Sequence, residues 1–316
     1  MTARDFLRRR LMARYGLTEP DLPLHSVVVG EVTRTFVAAP GPDPTGPLLL
    51  VLHGAGGTGA GMAALSGLHE RGPAKGCTVL FPDGVAHVWN DNRATPRLRR
   101  REGVDDVALL CALVEHARRS GVNEGRQVFA VGMSNGGLLA EHVARHGLVE
   151  LAGIVLVAAG ATMRSRASCP VPRQASGFLA FHGTADPLVP YRGGPIGLRA
   201  RPPRRRPGPA GRGSVAPMEE VAADWCQDRA RGATPTVERL EQPAGDLPVD
   251  RLRWPGAPGA ARTPGPTLYR IMGGGHTWPG GKPYLPTRII GPVAQHLDAT
   301  GLILDFVRVS PSVPDP

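Results

Sequence analysis

The sequence predicts a single-domain α/β fold with a mainly parallel central sheet and helices on both faces. Short apolar runs alternate with helical stretches along most of the chain, an order that indicates βαβ units. The chain has 316 residues, of which 41% are hydrophobic, so one domain of this class can bury a sizeable core. We expect this domain to span residues 31–309, with an N-terminal extension over 1–30 and a tail over 310–316.

Strands and helices follow from the apolar pattern. The predicted strands are residues 47–53, 78–81, 127–131, 152–158, 177–182 and 267–272. The predicted helices are residues 105–119, 137–146, 218–231 and 298–308. In the first helix, Val107, Leu110, Cys111 and Val114 recur at the spacing of one buried face.

The four cysteines, Cys77, Cys111, Cys169 and Cys226, show neither a disulfide framework nor a metal-binding spacing. We expect at least Cys77 and Cys111 to be buried thiols. The sequence predicts no metal site and no cofactor.

A candidate nucleophile lies in Gly132-Met133-Ser134-Asn135-Gly136-Gly137, between a predicted strand and a predicted helix. The pattern Gly-x-Ser-x-Gly in this context is typical of a nucleophile elbow, because small neighbours permit the sharp turn that exposes the serine. The backbone N–H of Asn135, at the start of the helix, can then face an oxyanion. The alternative is a glycine-rich turn with an incidental serine.

A serine nucleophile needs a base and an orienting acid, which follow it in the order Ser, Asp or Glu, His in this class of site. Asp186 lies just after the predicted strand 177–182, and His276 follows the strand 267–272 through a glycine stretch. We assign the acid to Asp186 and the base to His276. His296, the other histidine downstream of Asp186, precedes the last helix. Other acidic candidates without a strand-end position are Asp224, Asp228, Asp246 and Asp250.

A second oxyanion donor is expected in the glycine-rich loop after the strand 47–53, near Ala55. Glycine lets such a loop turn a backbone N–H toward a substrate carbonyl. The alternative is a phosphate-binding loop, which is disfavoured because the Lys-Ser/Thr ending of that motif is missing.

Several stretches together resemble one known family. They are His53-Gly54-Ala55-Gly56-Gly57-Thr58, Pro82-Asp83-Gly84, Trp89-Asn90, Val104-Asp105-Asp106-Val107, Gly132 to Gly137, His182 to Tyr191 and Gly274 to Gly281. They are similar to the poly(3-hydroxybutyrate) depolymerases and feruloyl or acetylxylan esterases of the α/β-hydrolase fold. The resemblance implies that Ser134, Asp186 and His276 are nucleophile, acid and base, and that the aromatic residues Trp89 and Trp278 lie near the substrate.

Two features depart from that family. The chain has no Thr- or Ser-rich linker to a separate polymer-binding domain, which weakens the polymer hypothesis. Residues 197–217 form a basic, Pro- and Gly-rich stretch that looks inserted, and residues 243–266 are also Pro-rich. The first stretch follows Asp186 closely, so it is either a lid over the site or a solvated surface loop.

The formal net charge of +10 comes from arginine, since Lys75 and Lys282 are the only lysines among 37 basic residues. The arginine clusters at 97–101 and 199–206 have no interleaved aromatic residues for base stacking. We therefore predict solvated loops and no nucleic-acid partner. No stretch has the length of a membrane span.

Residues 1–20 lack the continuous apolar segment of a signal peptide. The chain as given thus indicates a cytoplasmic location, whereas the resemblance implies secretion. For function, the leading hypothesis is a serine carboxylesterase acting on a small or oligomeric ester. The alternatives are an amide-cleaving serine hydrolase and a non-catalytic binding protein on the same scaffold.

Overall fold

The computed structural model describes residue 10 and residues 12–93, 104–124, 126–173, 177–197, 213–226, 234–256 and 265–309. The described chain is built on a ten-stranded sheet with the order β1-β2-β4-β3-β5-β6-β7-β12-β11-β10. Its strands are β1 Leu24–Val29, β2 Val32–Ala39, β3 Leu48–Leu52, β4 Thr78–Pro82, β5 Val128–Met133, β6 Gly153–Val157, β7 Gly177–Gly183, β10 Thr236–Arg239, β11 Val249–Arg253 and β12 Thr267–Ile271. A separate two-stranded ribbon joins β8 Gly194–Pro195 to β9 Ser214–Val215.

The centre of the sheet is parallel, from β4 through β3, β5, β6 and β7 to β12. The strands at both edges pair antiparallel. The helices are α1 Gly59–Ser66, α2 Leu68–Arg71, α3 Asp106–Arg119, α4 Asn135–Arg145, α5 Met163–Ser168, α6 Met218–Asp224, α7 Thr287–Ile290 and α8 Ala299–Val309. All six predicted strands are present, and each begins and ends within two residues of its prediction.

Side chains of the central strands alternate between two hydrophobic cores, one on each face of the sheet. In β3, Leu48, Leu50 and Leu52 pack in the core that includes α3 and α4, whereas Leu49 and Val51 pack in the core that includes α8. The strands of a parallel sheet that is covered on both faces are continuous apolar runs in the sequence, because both of their faces are buried. The predicted α/β architecture, with helices on both faces, is confirmed.

The predicted buried face of α3 is correct at Leu110 and Val114, which are buried, and wrong at Cys111, which was also expected to be a buried thiol. Cys111 is exposed and Val107 is only half-buried. The buried face is formed by Asp106, Leu109, Leu110, Leu113, Val114 and Ala117. Two helical stripes fit the apolar pattern of this segment, and packing against the sheet selects the one centred on Leu110 and Leu113. Cys77, Cys169 and Cys226 are buried, and all four cysteines are free thiols.

Three regions that the sequence suggested as peripheral contribute to the domain. β1 lies within residues 1–30 and forms an edge of the sheet, and β11 lies within the Pro-rich stretch 243–266. Residues 198–212 of the basic stretch lie outside the described residues, so the lid hypothesis stays a prediction. The C-terminal end of the basic stretch is part of the fold, because Val215 of β9 is buried against Leu138 and Val189. Among the described residues, every helix is too short or too polar to span a lipid bilayer.

Candidate active site

The sequence-predicted site residues lie beyond the carboxyl ends of neighbouring parallel strands. Ser134 follows β5, Asp186 follows β7 and His276 follows β12, while the glycine-rich loop that begins at His53 follows β3. These strands are neighbours or next neighbours in the sheet. The fold therefore brings the four segments to one edge, which is where α/β sheets bind ligands.

Ser134 adopts the strained turn expected of a nucleophile elbow. Its φ of 53° and ψ of −121° lie in a region that L residues rarely occupy. Its N–H donates to the carbonyl oxygen of Val157 at 2.9 Å. Only glycine fits at two neighbouring positions: a Cβ at Gly132 would lie 2.5 Å from the carbonyl carbon of Gly136, and a Cβ at Gly136 would lie 2.5 Å from the carbonyl oxygen of Leu52. The close packing of strand and helix thus maintains the strain.

Asp186 and His276 form a buried hydrogen-bonded pair. His276 Nδ1 lies 2.7 Å from Asp186 Oδ2, and the two side chains are 2% and 0% exposed. When Nδ1–H of a neutral imidazole donates to the carboxylate, Nε2 is left without a proton. In that tautomer the lone pair of His276 Nε2 can accept a proton.

The carboxylate of Asp186 is held in its ionised form. Burial alone would raise its pKa, but the neighbouring His276 and hydrogen bonds from His182 and His276 outweigh burial and lower the pKa. Its other oxygen, Oδ1, accepts from the N–H groups of Leu188 and Val189, both at 2.8 Å. These two bonds orient the carboxylate toward His276.

The loops that carry Asp186 and His276 approach each other through glycines. A Cβ at Gly183 would lie 2.2 Å from the carbonyl oxygen of Gly274, so no larger residue fits where the two loops meet. The N–H of His276 donates to the carbonyl oxygen of Ile290 at 2.5 Å. The hydroxyl of Tyr284 donates to the carbonyl oxygen of His276 at 3.1 Å. The backbone of His276 is thereby fixed on both sides.

The His182 side chain has a structural role next to Asp186. Its Nε2 donates to the carbonyl oxygen of Val189 at 2.9 Å and lies 3.5 Å from Asp186 Oδ2. Because Val189 also donates its N–H to Asp186, the imidazole closes the turn that holds the carboxylate. The motif His182-Gly183-x-x-Asp186 in the sequence is the signal for this arrangement.

The glycine-rich loop after β3 lies against the serine. A Cβ at Gly54 would lie 3.4 Å from Cβ and 3.9 Å from Oγ of Ser134. The buried His53 side chain anchors the loop. Its Nε2 accepts from the N–H of Gly84 at 2.9 Å, and its Nδ1 donates to the carbonyl oxygen of Gly54 at 2.8 Å. Ala55, the expected oxyanion donor, is the exposed residue that follows Gly54.

Asn135 is the first residue of α4, a position whose N–H has no partner within a helix. That N–H is suited to an oxyanion. The Asn135 side chain is turned away and clamps the backbone of Trp89: Oδ1 accepts from the Trp89 N–H at 2.7 Å, and Nδ2 donates to the Trp89 carbonyl oxygen at 3.1 Å. The sequence pointed to the backbone of Asn135 but gave no signal for this clamp.

The structure does not support a substrate-contacting role for Trp89 or Trp278. Both side chains are fully buried, at 0% and 1% exposure. Trp89 Nε1 donates to the carbonyl oxygen of His53 at 2.8 Å, and Trp278 Nε1 donates to Thr300 Oγ1 at 3.0 Å. Both indoles are packed with their N–H groups satisfied, so they support the site from within the core.

The other acidic candidates are occupied elsewhere. Asp224 accepts from Arg145 and Arg166, Asp250 pairs with Arg239 and Arg270, and Asp246 pairs with His296. Asp228 lies outside the described residues. Within the described ranges, no group of three or more His, Cys, Asp or Glu side chains could hold a metal ion.

These elements suit acyl transfer. A strained serine, a histidine–carboxylate pair and backbone donors at a helix start and a glycine loop are the groups from which serine hydrolases are assembled on several unrelated folds. No protein-family model matches the chain.

Two comparisons with known proteins bear on the family and the fold. The chain is 31% identical over 293 residues to a protein of Nocardia uniformis subsp. tsuyamanensis named "Putative esterase NocK", and the match covers 89% of this chain and 81% of that protein. The acetyl xylan esterase from Aspergillus awamori superposes with a TM-score of 0.50 at 13% identity, covering 91% of this chain and 99% of that one. At such low identity this likeness supports the fold alone. The chain therefore has the α/β-hydrolase fold and belongs to the esterase family that includes NocK.

Proposed function

We propose that this protein is a serine carboxylesterase in which Ser134, His276 and Asp186 form the catalytic triad. The observation that carries the proposal is the 2.7 Å hydrogen bond between buried His276 and Asp186. This pair lies at the carboxyl ends of the parallel strands, where Ser134 also lies in a strained elbow. Family membership supports ester chemistry independently of this geometry.

In the proposed mechanism, Ser134 Oγ attacks the ester carbonyl while His276 Nε2 takes its proton. Asp186 holds the imidazole and stabilises its protonated form. The N–H groups of Ala55 and Asn135 donate to the oxyanion of the tetrahedral intermediate. Collapse of this intermediate expels the alcohol, which receives the proton from His276. Water then attacks the acyl-enzyme by the same route and releases the acid. No cofactor takes part.

The proposed substrates are small or oligomeric esters of hydroxyalkanoic, acetic or ferulic acid. This choice rests on the sequence resemblance to depolymerases and feruloyl or acetylxylan esterases. We propose an ester substrate as the partner, with neither a nucleic acid nor a membrane required.

The decisive experiment is Ser134→Ala with a panel of p-nitrophenyl acetate, hydroxybutyrate oligomers and feruloyl esters. We expect a loss of kcat/KM of at least about 10³-fold on every ester that the wild type cleaves, because the triad acts as a unit. A fluorophosphonate should label the wild type and leave Ser134→Ala unlabelled. Retention of more than about a tenth of the activity would remove Ser134 from the mechanism. The ranking of kcat/KM across the panel identifies the acyl group.

A further inference from the structure

A chain of buried polar contacts leads from the helix start at Asn135 to an ion pair that takes no part in the proposed chemistry. The Asn135 Nδ2 donates to Asp91 Oδ2 at 2.5 Å, in addition to its bonds with Trp89. Asp91 is 0% exposed, and its carboxylate receives the guanidinium of Arg93, with Nε 2.8 Å from both oxygens. We call these three side chains the Asn135–Asp91–Arg93 relay.

The relay holds the N-terminus of α4, which lacks a side-chain N-cap hydrogen bond. Helices are usually anchored at the N-terminus by a capping side chain that accepts from the first turn. Ser134 occupies the cap position of α4 and makes no such bond, and its hydroxyl is needed as the nucleophile in the proposed function. The Asn135 side chain instead makes three hydrogen bonds, which use its acceptor and both amide hydrogens.

The orientation of the Asn135 N–H therefore depends on what holds the Asn135 side chain. Asp91 is a strong acceptor because it is ion-paired and buried, where charge-assisted hydrogen bonds gain strength. Arg93 is in turn packed against the backbone of Gly213, where a Cβ would lie 2.9 Å from Arg93 Cδ. The far end of the relay is thus fixed at the base of β9.

We propose that Asp91 and Arg93 are positioning residues for the oxyanion N–H of Asn135. This inference depends on the proposed esterase function, since the N–H needs precise aim only if an oxyanion forms there. The relay should matter in the transition state, where the carbonyl oxygen becomes charged, and little in substrate binding. It predicts an effect on kcat with KM nearly unchanged.

The test uses an exchange of amide and carboxylate between positions 135 and 91 in the full chain. Asn135→Asp sets two carboxylates against each other at the 2.5 Å contact, and we expect kcat per titrated active site to fall about 100-fold, the scale for a misplaced or lost oxyanion donor. Asp91→Asn alone should lower kcat about 10-fold. The double variant restores a donor and an acceptor at this contact, and it should recover at least about 10-fold relative to Asn135→Asp.

Binding of a trifluoromethyl ketone, which forms an oxyanion on the serine, supplies a readout that mere destabilisation does not move. Its Ki should rise in parallel with the loss of kcat, while KM stays within about threefold. Asp224→Asn is the matched control, because Asp224 also carries two arginine contacts but binds the opposite end of α4 through Arg145. It should lower the melting temperature without changing kcat per active site.

The failure of this inference differs from the failure of the proposed function. If fluorophosphonate does not label the wild type at Ser134, the esterase mechanism is wrong. If the wild type is labelled and active but the double variant recovers nothing, or the Asp224 control loses as much kcat, the positioning role is wrong. Should Asn135→Asp not fold, Arg93→Lys keeps the charge but loses the two-point contact. We expect its kcat to fall about 3- to 10-fold, and an unchanged kcat would overturn the inference.

Discussion

Two aspartate–histidine pairs in this molecule share one geometry but differ in their surroundings. His276 Nδ1 lies 2.7 Å from Asp186 Oδ2, and His296 Nδ1 lies 2.8 Å from Asp246 Oδ2. The pairs cannot be distinguished by their hydrogen bond. An Asp–His contact is therefore not sufficient evidence of a catalytic dyad, and the position of the imidazole has to decide.

Position separates the two pairs clearly. Asp186 and His276 of the first pair follow β7 and β12, at the carboxyl ends of the parallel strands, where Ser134 also lies. The second pair joins the loop before β11 to the segment before α8. Asp246 also accepts from the N–H groups of Leu247, Gln295 and His296. The Nε2 of His296 is buried without a hydrogen-bond partner among the described residues. The second pair serves as a structural fastening.

Replacing the two histidines should give the largest contrast. We expect His276→Ala to lower kcat by at least about 10⁴-fold, because the serine loses its base. His296→Ala should leave kcat within about threefold, since its cost falls on stability. Pre-steady-state turnover with p-nitrophenyl acetate measures both, and a reversed pattern would exchange the roles of the two pairs.

Replacing the two aspartates should give the next largest contrast. Asp186→Asn keeps the shape of the site but can no longer stabilise a protonated His276, so we expect kcat to fall about 10³- to 10⁴-fold. Asp246→Asn should leave kcat within about threefold, because it acts away from the strand edge. Circular dichroism of both variants controls for folding. Comparable losses of kcat in the two variants would show that the second pair also contributes to the reaction.

Stability should respond to pH through Asp246 in a direction that its hydrogen bonds determine. Burial alone would raise the pKa of Asp246, but hydrogen bonds from the Leu247 N–H and from His296 lower it to about 2. An unfolded aspartate has a pKa of about 3.9. The stabilisation is therefore fully present above about pH 4 and is lost as the pH falls toward 2.

Urea unfolding of the wild type and of Asp246→Asn measures this effect. At pH 7 we expect the variant to be less stable by about 1 kcal/mol or more, the scale of a hydrogen bond to a charged group. At pH 3 the difference should be smaller. A difference that stays constant between pH 7 and pH 3 would mean that the ionised carboxylate is not what holds the loop to His296.

Local sequence pattern predicted where three segments of the candidate site lie in the fold. Ser134, Asp186 and His276 were each marked by an apolar strand followed by a glycine-containing turn, and the structure places all three segments at one edge of the sheet. The sequence also favoured His276 over His296, because His276 follows a predicted strand. Nothing in the sequence showed that His296 has a carboxylate partner. That partner, Asp246, is 50 residues away and is brought near only by the fold.

What the sequence could not supply depends on contacts between distant segments. Trp89 and Trp278 were expected beside the substrate, but whether an indole faces a pocket or the core is decided by neighbours that the fold brings together, such as Thr300. The strand β10 was not predicted because all four of its residues are exposed at a sheet edge, which leaves no alternation of apolar and polar residues to detect. The contact of Asn135 with Asp91 spans 44 positions and has no sequence signature.

The smallest expected effect concerns the hydroxyl that supports the backbone of His276. Tyr284→Phe removes the donor to the His276 carbonyl oxygen, a bond of 3.1 Å, and should lower the free energy of unfolding by about 1 kcal/mol. We expect kcat to fall by no more than about threefold, because the Ile290 carbonyl oxygen still holds the N–H of the same residue. Tyr191→Phe is the matched control: its hydroxyl donates to Glu219 at 2.7 Å and its ring, which stays, packs against His182. A similar loss of stability in both variants, with a loss of kcat in Tyr284→Phe alone, is the expected result. A loss beyond about tenfold in Tyr284→Phe would instead place its hydroxyl among the groups that act on the substrate.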